Sequence, residues 1–292
     1  MRAVVTGGAG FIGSHVVEAL VARGDEVTVV DDLSSGNREQ VPARVTLVEH
    51  DVREPFEVDA DVVFHLAAQI DVRASVADPA RDAQVNVVGT LRVLEAARLA
   101  GAQVIFASTG GAIYGECERP ATEQDERHPL APYGTSKLAA EEYLAMYNRL
   151  YGTRHVALRY GNVYGPRQDP HGEAGVVAIF LGRLREGEPL TVYGDGSQTR
   201  DYVHATDVAR ATLLAAGQDG GVFNVGTGRE TSVLELAELC ARAAGVEAEV
   251  THAPARAGEL QRSSLDPTRA ERALGFRAEI SLEEGLRQTW SN

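Results

Sequence analysis

The sequence predicts a doubly wound α/β fold, in which helices cover both faces of a parallel sheet, followed by a smaller C-terminal lobe. In the first half of the 292-residue chain, short Val/Ile-rich runs alternate with longer amphipathic segments, the pattern of buried parallel strands and crossover helices. A glycine-rich turn separates the first of these runs from the first helical segment. After Gly165 the alternation stops and the segments become shorter.

The first half contains the elements of the main sheet in chain order. Strands are predicted at "AVVTG", "EVTVVDD", "VTLVEHD", "DVVFHLAA", "QVIFAST" and "HVALRYGNVYG". Helices are predicted over residues 12–22, 79–99 and 132–151. Because the strands are nearly continuous apolar runs, we expect both faces of their sheet to be covered.

The second half predicts the smaller lobe. "PRQDPHGEAG" has no large apolar residue and predicts a loop or lid, followed by a helix near residues 176–185. A strand "LTVYG", a strand entering a helix in "DYVHATDVARATLLAA", and a last strand in "VFNVGTG" come next, and the tail from Thr231 is mostly helical. We expect residues 1–165 to form the main domain and 166–292 mainly the lobe, with one return of the chain to the main sheet near 202–225.

Composition excludes several classes of protein. Hydrophobic residues make up 44% and charged residues 24% of the chain, as in globular proteins, and no apolar run approaches the ~20 residues of a membrane span. The net charge of −14 disfavours a nucleic-acid partner. Cys117 and Cys240 form no CxxC pair, and the first residues do not resemble a signal peptide, so we expect a cytoplasmic protein without a metal site.

The turn "TGGAGFIG" predicts a dinucleotide site. Gly7, Gly10 and Gly13 let the backbone approach a pyrophosphate, and the N-terminus of the following helix supplies free N–H groups. Asp31, at the end of the second strand and 18 residues after Gly13, can accept both adenosine ribose hydroxyls and would repel a 2′-phosphate. NAD is therefore favoured over NADP. Asp32 beside it can equally cap the next turn.

A tyrosine and a lysine predict an acid/base site. Tyr133 and Lys137 are four residues apart in a predicted helix and therefore share a face. Lys137 is the only lysine among 28 Lys plus Arg residues. A nearby ammonium lowers the tyrosine pKa from its usual value of ~10, and it can hold a ribose where a planar guanidinium would not fit. Ser108 and Thr109 end the strand "FAST", where parallel sheets bind their ligands, and are candidates to bond a reacting oxygen.

These motifs, together with "HLAA" and "RYGNVYGP", resemble the extended short-chain dehydrogenase/reductase superfamily, which has the Rossmann fold. Within its NAD-dependent epimerase/dehydratase family, the chain is most similar to the bacterial UDP-glucose 4-epimerases. The resemblance runs from Met1 to about Asp266. It implies a tightly bound NAD that oxidises carbon 4 of a nucleotide sugar and reduces the 4-keto sugar on its other face. UDP-glucose and UDP-galactose are the implied substrates.

The resemblance also implies roles for individual residues. Tyr133 would be the acid/base, Lys137 would hold the nicotinamide ribose, and Thr109 would bond the sugar 4-oxygen; Ser108 is an alternative, and counting back from "YG" puts Gly110 at that place. Asp51 can contact the adenine or form a turn. The implied cofactor contacts are Gly7, Gly10, Phe11, Ile12, Gly13, Asp31, Asp32, Asp51, Val52, Leu66, Ala67, Ala68, Asn86, Ser108, Tyr133 and Lys137. The implied substrate contacts are Ser108, Thr109, Gly110, Tyr133, Asn162, Arg200, Arg256 and Glu259.

The residues that follow Thr109 at the end of this strand disfavour two related activities. Sugar 4,6-dehydratases carry Thr-Asp-Glu there and uronic-acid decarboxylases Thr-Ser-Glu, whereas Thr109 is followed by Gly110 and Gly111. Ser263 stands where some relatives carry a tyrosine that narrows the sugar pocket, so we expect N-acetylated sugars to be accepted. Other NAD-dependent nucleotide-sugar epimerases or dehydratases, and a non-catalytic NAD-sensing protein, are the alternatives. The helices over 81–99 and 134–150 are expected to pair in a homodimer, as in this family.

Overall fold

The computed structural model describes residues 1–170, 175–256 and 258–292. Its strands, in chain order, are β1 (Arg2–Thr6), β2 (Glu26–Asp31), β3 (Thr46–Glu49), β4 (Val62–His65), β5 (Gln103–Thr109), β6 (Val156–Tyr160), β7 (Asn162–Tyr164), β8 (Leu190–Tyr193), β9 (Thr199–Arg200), β10 (Tyr202–His204), β11 (Gly221–Val225), β12 (Thr231–Ser232), β13 (Val250–Ala253) and β14 (Arg262–Ser263). The α-helices are α1 (Phe11–Arg23), α2 (Val72–Ala77), α3 (Pro79–Ala83), α4 (Gly89–Ala100), α5 (Gly110–Ile113), α6 (Pro132–Tyr151), α7 (Val176–Glu186), α8 (Ala205–Leu214), α9 (Val233–Ala244), α10 (Thr268–Leu274) and α11 (Leu282–Ser291).

The central sheet confirms the predicted fold class. Its seven strands are parallel, in the order β11-β6-β5-β4-β1-β2-β3. Two buried clusters cover its faces. One includes α1 and α8, and the other includes α4 and α6. The strand order reverses direction beside β1, and such a switch point is where open α/β sheets bind their ligands.

The predicted long helix over 79–99 consists of three joined segments. The helix α3 begins with Pro79 at its first turn and Asp78 as its N-cap. A π-helical segment, Gln84–Val88, follows and leads into α4. Such a widened turn interrupts the regular hydrogen-bond ladder, and here it contains the buried Asn86. Apolar periodicity alone did not indicate this interruption.

The predicted strand "HVALRYGNVYG" is divided at Gly161. The strand β6 lies in the main sheet, whereas β7 pairs with β10 in a separate two-stranded sheet. The backbone hydrogen bonds on either side of Gly161 explain this division. Gly161 N–H donates to the carbonyl of Val225 in β11, but Asn162 N–H donates to the carbonyl of Asp201. The chain therefore leaves the main sheet at this glycine.

The C-terminal lobe is built on its own buried cluster, to which α7, α9 and α11 contribute. The strand β11 returns to the main sheet beside β6. The tail from Thr231, expected to be mostly helical, contains α9, α10 and α11, but these cover less than half of it, and it also contains the short strands β12, β13 and β14. Of the predicted loop at 166–175, residues 171–174 lie outside the described residues. Among the described residues, no helix combines the length and the apolar character that crossing a membrane requires.

Candidate functional site

The glycine turn forms a close backbone cradle at the end of β1. A Cβ atom on Gly13 would lie 2.0 Å from the carbonyl oxygen of Gly7, and one on Gly7, whose φ is +71°, would lie 2.5 Å from the Ala67 nitrogen. The N-cap of α1 is Gly10, which makes no side-chain capping bond. The N–H groups at Phe11 and beyond can therefore bind an anion, and the turn fits a pyrophosphate.

Asp31 is fixed beside this turn. Its Oδ2 accepts a hydrogen bond from Ala9 N–H at 2.9 Å, and its Oδ1 accepts one from Leu33 N–H at 2.9 Å. Asp32 is exposed and accepts hydrogen bonds from the N–H and hydroxyl of Ser34, at 3.0 and 2.6 Å. Asp31 is thus held against the glycine turn, and Asp32 caps the turn that follows β2.

The other predicted cofactor residues lie along the same sheet edge. Asp51 accepts hydrogen bonds from the N–H of Arg53 at 2.9 Å and from its Nε at 2.8 Å, and this side-chain bond lowers the pKa of Asp51. Asp51 thus forms a turn here. Val52 is buried and packs beside Gly89. The half-buried residues after β4 and at the start of α1 are Leu66, Ala67, Ala68 and Ile12.

Thr109, Tyr133 and Lys137 come together where β5 meets α6. The Thr109 side chain interacts with the Tyr133 hydroxyl and lowers its pKa. The Lys137 Nζ donates to the carbonyl oxygen of Ala107 at 2.9 Å and lies 4.7 Å from the centre of the Phe106 ring. Strand β5 and helix α6 thus bring Tyr133 beside Thr109 and Lys137 beside the Ala107 carbonyl.

The direction of the Tyr133 pKa differs from the sequence expectation. Burial raises the pKa of Tyr133 to about 12, the charge of Asp82 raises it further, and the bond with Thr109 opposes both. The ammonium of Lys137, which we expected to lower this pKa, instead donates to the Ala107 carbonyl. Burial lowers the pKa of Lys137 itself to about 8. The expectation took charge into account but not the loss of water around both groups.

Ser108 takes part in a buried network that includes Glu141 of the same helix, α6. Its hydroxyl donates to Glu141 Oε1 at 2.5 Å, and Glu141 forms a salt bridge of 2.6 Å with Arg159. The Arg159 Nη1 donates to the Tyr114 hydroxyl at 2.7 Å. The Ser108 hydroxyl is therefore engaged with Glu141, and the side chain that interacts with Tyr133 is that of Thr109.

Gly110 packs closely against the side chain of Leu265. A Cβ atom there would lie 2.5 Å from Leu265 Cδ1. Gly110 begins the short helix α5, with Thr109 as its N-cap. Gly110 has no side chain that could interact with Tyr133. The residue that interacts with Tyr133 is Thr109, one position earlier in the chain.

Asn86 holds the loop that follows β4. Its Nδ2 donates to the Gln69 carbonyl at 2.9 Å and to Asp82 Oδ1 at 3.0 Å, and its Oδ1 accepts from Gln69 N–H at 3.0 Å. Sequence reasoning missed Asp82, Gln69 and Ser136, which meet in one cluster. A signal was present: Asp82 lies four residues before Asn86 in a predicted helix, so the two share a face.

The predicted substrate residues lie on the C-terminal lobe and on β7. Arg200 Nη2 is 3.6 Å from Glu259 Oε1, and both side chains are largely buried. The Arg256 guanidinium lies 3.8 Å from the centre of the Tyr193 ring. Asn162 approaches Gly111, beyond the end of β5: its Oδ1 lies 3.6 Å from the place a Cβ of that glycine would take. Cations and a ring are thus available for a diphosphate and an aromatic base.

Comparison with known proteins identifies the family. The model of the NAD-dependent epimerase/dehydratase family matches residues 3–226. The chain belongs to this family. A relative in it, the UDP-glucose 4-epimerase of Mycolicibacterium smegmatis, is 48% identical over 304 residues, which cover 99% of this chain and 97% of the relative. The predicted resemblance is confirmed at the level of the family.

Solved structures of similar proteins match this chain along its whole length. The UDP-glucose 4-epimerase of Thermotoga maritima, solved with UDP-glucose, has a TM-score of 0.96 and 46% identity, covering 100% of this chain and 98% of that one. The UDP-glucose 4-epimerase of Thermus thermophilus, solved in complex with NAD, has a TM-score of 0.93 and 48% identity, with the same coverage. Fold and family therefore agree.

Proposed function

We propose that this chain is a UDP-glucose 4-epimerase, which interconverts UDP-glucose and UDP-galactose with a tightly bound NAD. The observation that supports the proposal is that α6 brings Tyr133 beside Thr109 and Lys137 beside the Ala107 carbonyl, both near the carboxyl end of β5. Gly110 and Gly111 follow Thr109, so this strand end lacks the carboxylates that elimination of water would use. Relatives that bear the name UDP-glucose 4-epimerase and are 46 to 48% identical support it.

In the proposed reaction, Tyr133 accepts the proton of the sugar 4-hydroxyl and later returns it to the 4-keto oxygen. Thr109 bonds the same oxygen and lowers the pKa of Tyr133 against the effect of burial. Lys137 holds the nicotinamide ribose with its ammonium. When bound, NAD supplies a hydride acceptor and a positively charged ring, and a nearby positive charge favours the phenolate.

The remaining residues bind the two ligands. The glycine cradle would hold the NAD pyrophosphate, and Asp31 the adenosine ribose. Arg200 and Arg256 would bind the sugar-nucleotide diphosphate, which forms charge-assisted hydrogen bonds with guanidinium groups. Asn162 would bind the same diphosphate and Glu259 the uridine ribose. In this arrangement residues 1–165 are the NAD-binding domain and 166–292 mainly the substrate lobe.

Replacing Tyr133 tests the proposal. Tyr133→Phe removes the proton-transferring oxygen and keeps the ring, so turnover of UDP-galactose should fall by about 10²-fold or more. Tyr143→Phe, which removes an exposed hydroxyl from the same helix, is the matched control and should keep wild-type turnover. Full activity of Tyr133→Phe would contradict the catalytic assignment. A parallel panel of UDP-, dTDP- and GDP-sugars tests the nucleotide.

The substrate range is proposed to include UDP-GlcNAc and UDP-GalNAc. Ser263, where some relatives carry tyrosine, is a small buried residue of β14 paired with Arg200 of β9. A small side chain here leaves room for an N-acetyl group. The activity on N-acetylated sugars tests this point.

A homodimer is also proposed. Apolar side chains of the π-helical segment, α4 and α6 are exposed, in particular Val88, Leu99, Leu150 and Tyr151 at 40%, 77%, 63% and 49%. Pairing of these helices across a two-fold axis would bury them. Cys117 and Cys240 are free thiols, which supports a reducing compartment, and we propose the cytoplasm. Recovery of the native protein from an extracellular fraction would contradict this location.

A further inference from the structure

A buried carboxylate that the proposed reaction does not use lies against the helix of Tyr133 and Lys137. Asp82, in α3, is 1% exposed. Its Oδ1 accepts hydrogen bonds from Gln69 Nε2 and Asn86 Nδ2, both at 3.0 Å, and its Oδ2 accepts one from Ser136 Oγ at 2.6 Å. Three neutral donors therefore fix this carboxylate.

The position of Ser136 connects Asp82 to the catalytic helix. Ser136 is buried and directly precedes Lys137 in α6. The same end of the helix is held a second time, because Tyr133 N–H donates to the hydroxyl of Ser75 in α2 at 3.2 Å. The segment that contains α2 and α3 thus fixes the first turns of α6 through side-chain bonds.

The charge of Asp82 reaches both groups of the pair. Burial lowers the pKa of Lys137, and the charges of Asp82 and then Glu141 raise it. Glu141 forms a salt bridge with Arg159, so its charge is shared. On the sheet side, burial lowers the pKa of His65 to about 3, so this neighbour is neutral. Asp82 is therefore the main anionic neighbour of the ammonium.

We propose that Asp82 is a positioning residue for the Tyr133–Lys137 pair: it fixes the start of α6 through Ser136 and supplies the buried negative charge that balances the ammonium of Lys137. The proposal rests on the proposed function, because it assigns Asp82 a task through these two residues. An isolated buried carboxylate is costly, and an ammonium nearby offsets that cost.

Because Lys137 is the only lysine of the chain, its ionisation can be measured directly. Protein labelled with ¹³Cε-lysine gives one lysine signal, whose pH titration reports this ammonium. Relative to wild type, Asp82→Asn should lower the titration midpoint by about one pH unit, because an anion that favours the charged form is removed. Ser136→Ala, which keeps the charge, is the matched control and should not lower it. An unchanged midpoint in Asp82→Asn would overturn the proposal.

The pH dependence of turnover in the NAD-loaded enzyme gives a second readout. Asp82 raises the pKa of both Tyr133 and Lys137, so its loss should move both limbs of the profile to lower pH. If the alkaline limb moves down by one pH unit, turnover measured at a fixed pH on that limb falls about tenfold. Ser136→Ala should lower turnover without moving the alkaline limb to lower pH. If the alkaline limb of Ser136→Ala moved to lower pH as far as that of Asp82→Asn, the proposed role of the Asp82 charge would be overturned.

A second variant and a measurement of folding complete the test. Asp82→Ser repeats both measurements with a smaller side chain that admits water, in case Asp82→Asn folds poorly, and thermal unfolding checks each variant. The lysine titration does not depend on epimerase activity. An unchanged midpoint would therefore reject the role of Asp82 and leave the epimerase standing, whereas an active Tyr133→Phe would reject the catalytic pair.

Discussion

Lys137 is a residue whose shape matters as much as its charge. It is 3% exposed, and its compact ammonium fits between the Ala107 carbonyl and the Phe106 ring. A guanidinium is planar, wider and carries five donors, and it has to find acceptors for them in the same space. Elsewhere the chain uses arginine for its cationic side chains, including the buried Arg159.

Lys137→Arg should therefore lose turnover by about 10²-fold or more while the fold persists. The reason is the lost contact of a compact ammonium with the ribose, since the charge is kept. Steady-state turnover and thermal unfolding check it. Lys137→Met keeps the length without the charge and is the comparison: if charge alone mattered, the arginine variant would approach wild type and only the methionine variant would be inactive.

At the scale of elements, short strand pairings build the part of the C-terminal lobe that contains the proposed substrate residues. The strand β9 pairs in parallel with β14 and antiparallel with β12, and this places Ser263 beside Arg200 although the two are far apart in the chain. The proposed diphosphate site and the proposed wall of the sugar pocket are thus parts of one small sheet. We therefore expect a substitution in β14 to affect the sugar without contacting α6.

Ser263→Tyr should reduce turnover of UDP-GlcNAc strongly and leave turnover of UDP-glucose largely intact, since a phenol fills the space of the N-acetyl group. Both rates are measured on the same preparations, and the UDP-glucose rate serves as the folding control. Equal UDP-GlcNAc turnover by the variant and the wild type would remove the proposal that Ser263 sets the substrate range.

At the scale of the whole molecule, the exposed apolar side chains and the net charge of −14 act in opposite directions. Like charges separate two copies, whereas burial of apolar surface associates them at ~25 cal/mol per Å². Leu99 and Leu150, on α4 and α6, are the most exposed members of this surface. We expect burial to dominate, giving a stable dimer.

The double variant Leu99→Glu/Leu150→Glu should be monomeric, because it puts charges into the paired helices. Light scattering after size-exclusion chromatography measures the mass. Val246→Glu, an exposed apolar position after α9, is the control and should remain dimeric. A wild-type protein that is monomeric at micromolar concentration would contradict the proposal.

Much of this architecture follows from local sequence. Alternating apolar runs and helical segments predicted the parallel sheet, and the glycine turn with Asp31 predicted a dinucleotide site, since both patterns are set by residues close in the chain. The helix of Tyr133 and Lys137 was predicted with the bounds that α6 has, 132–151. Pro132 at its first turn and Gly152 after its last turn mark these bounds.

Only the tertiary structure decided what depends on distant partners. The division at Gly161, the pairing of Thr109 with Tyr133 and of Ser108 with Glu141, and the Asp82 cluster all require segments that are far apart in the chain to meet. The Tyr133 pKa belongs to the same group, because loss of water depends on everything packed around the hydroxyl. The sequence thus determined which chemical groups the site contains, and the packed fold decided their contacts and their ionisation.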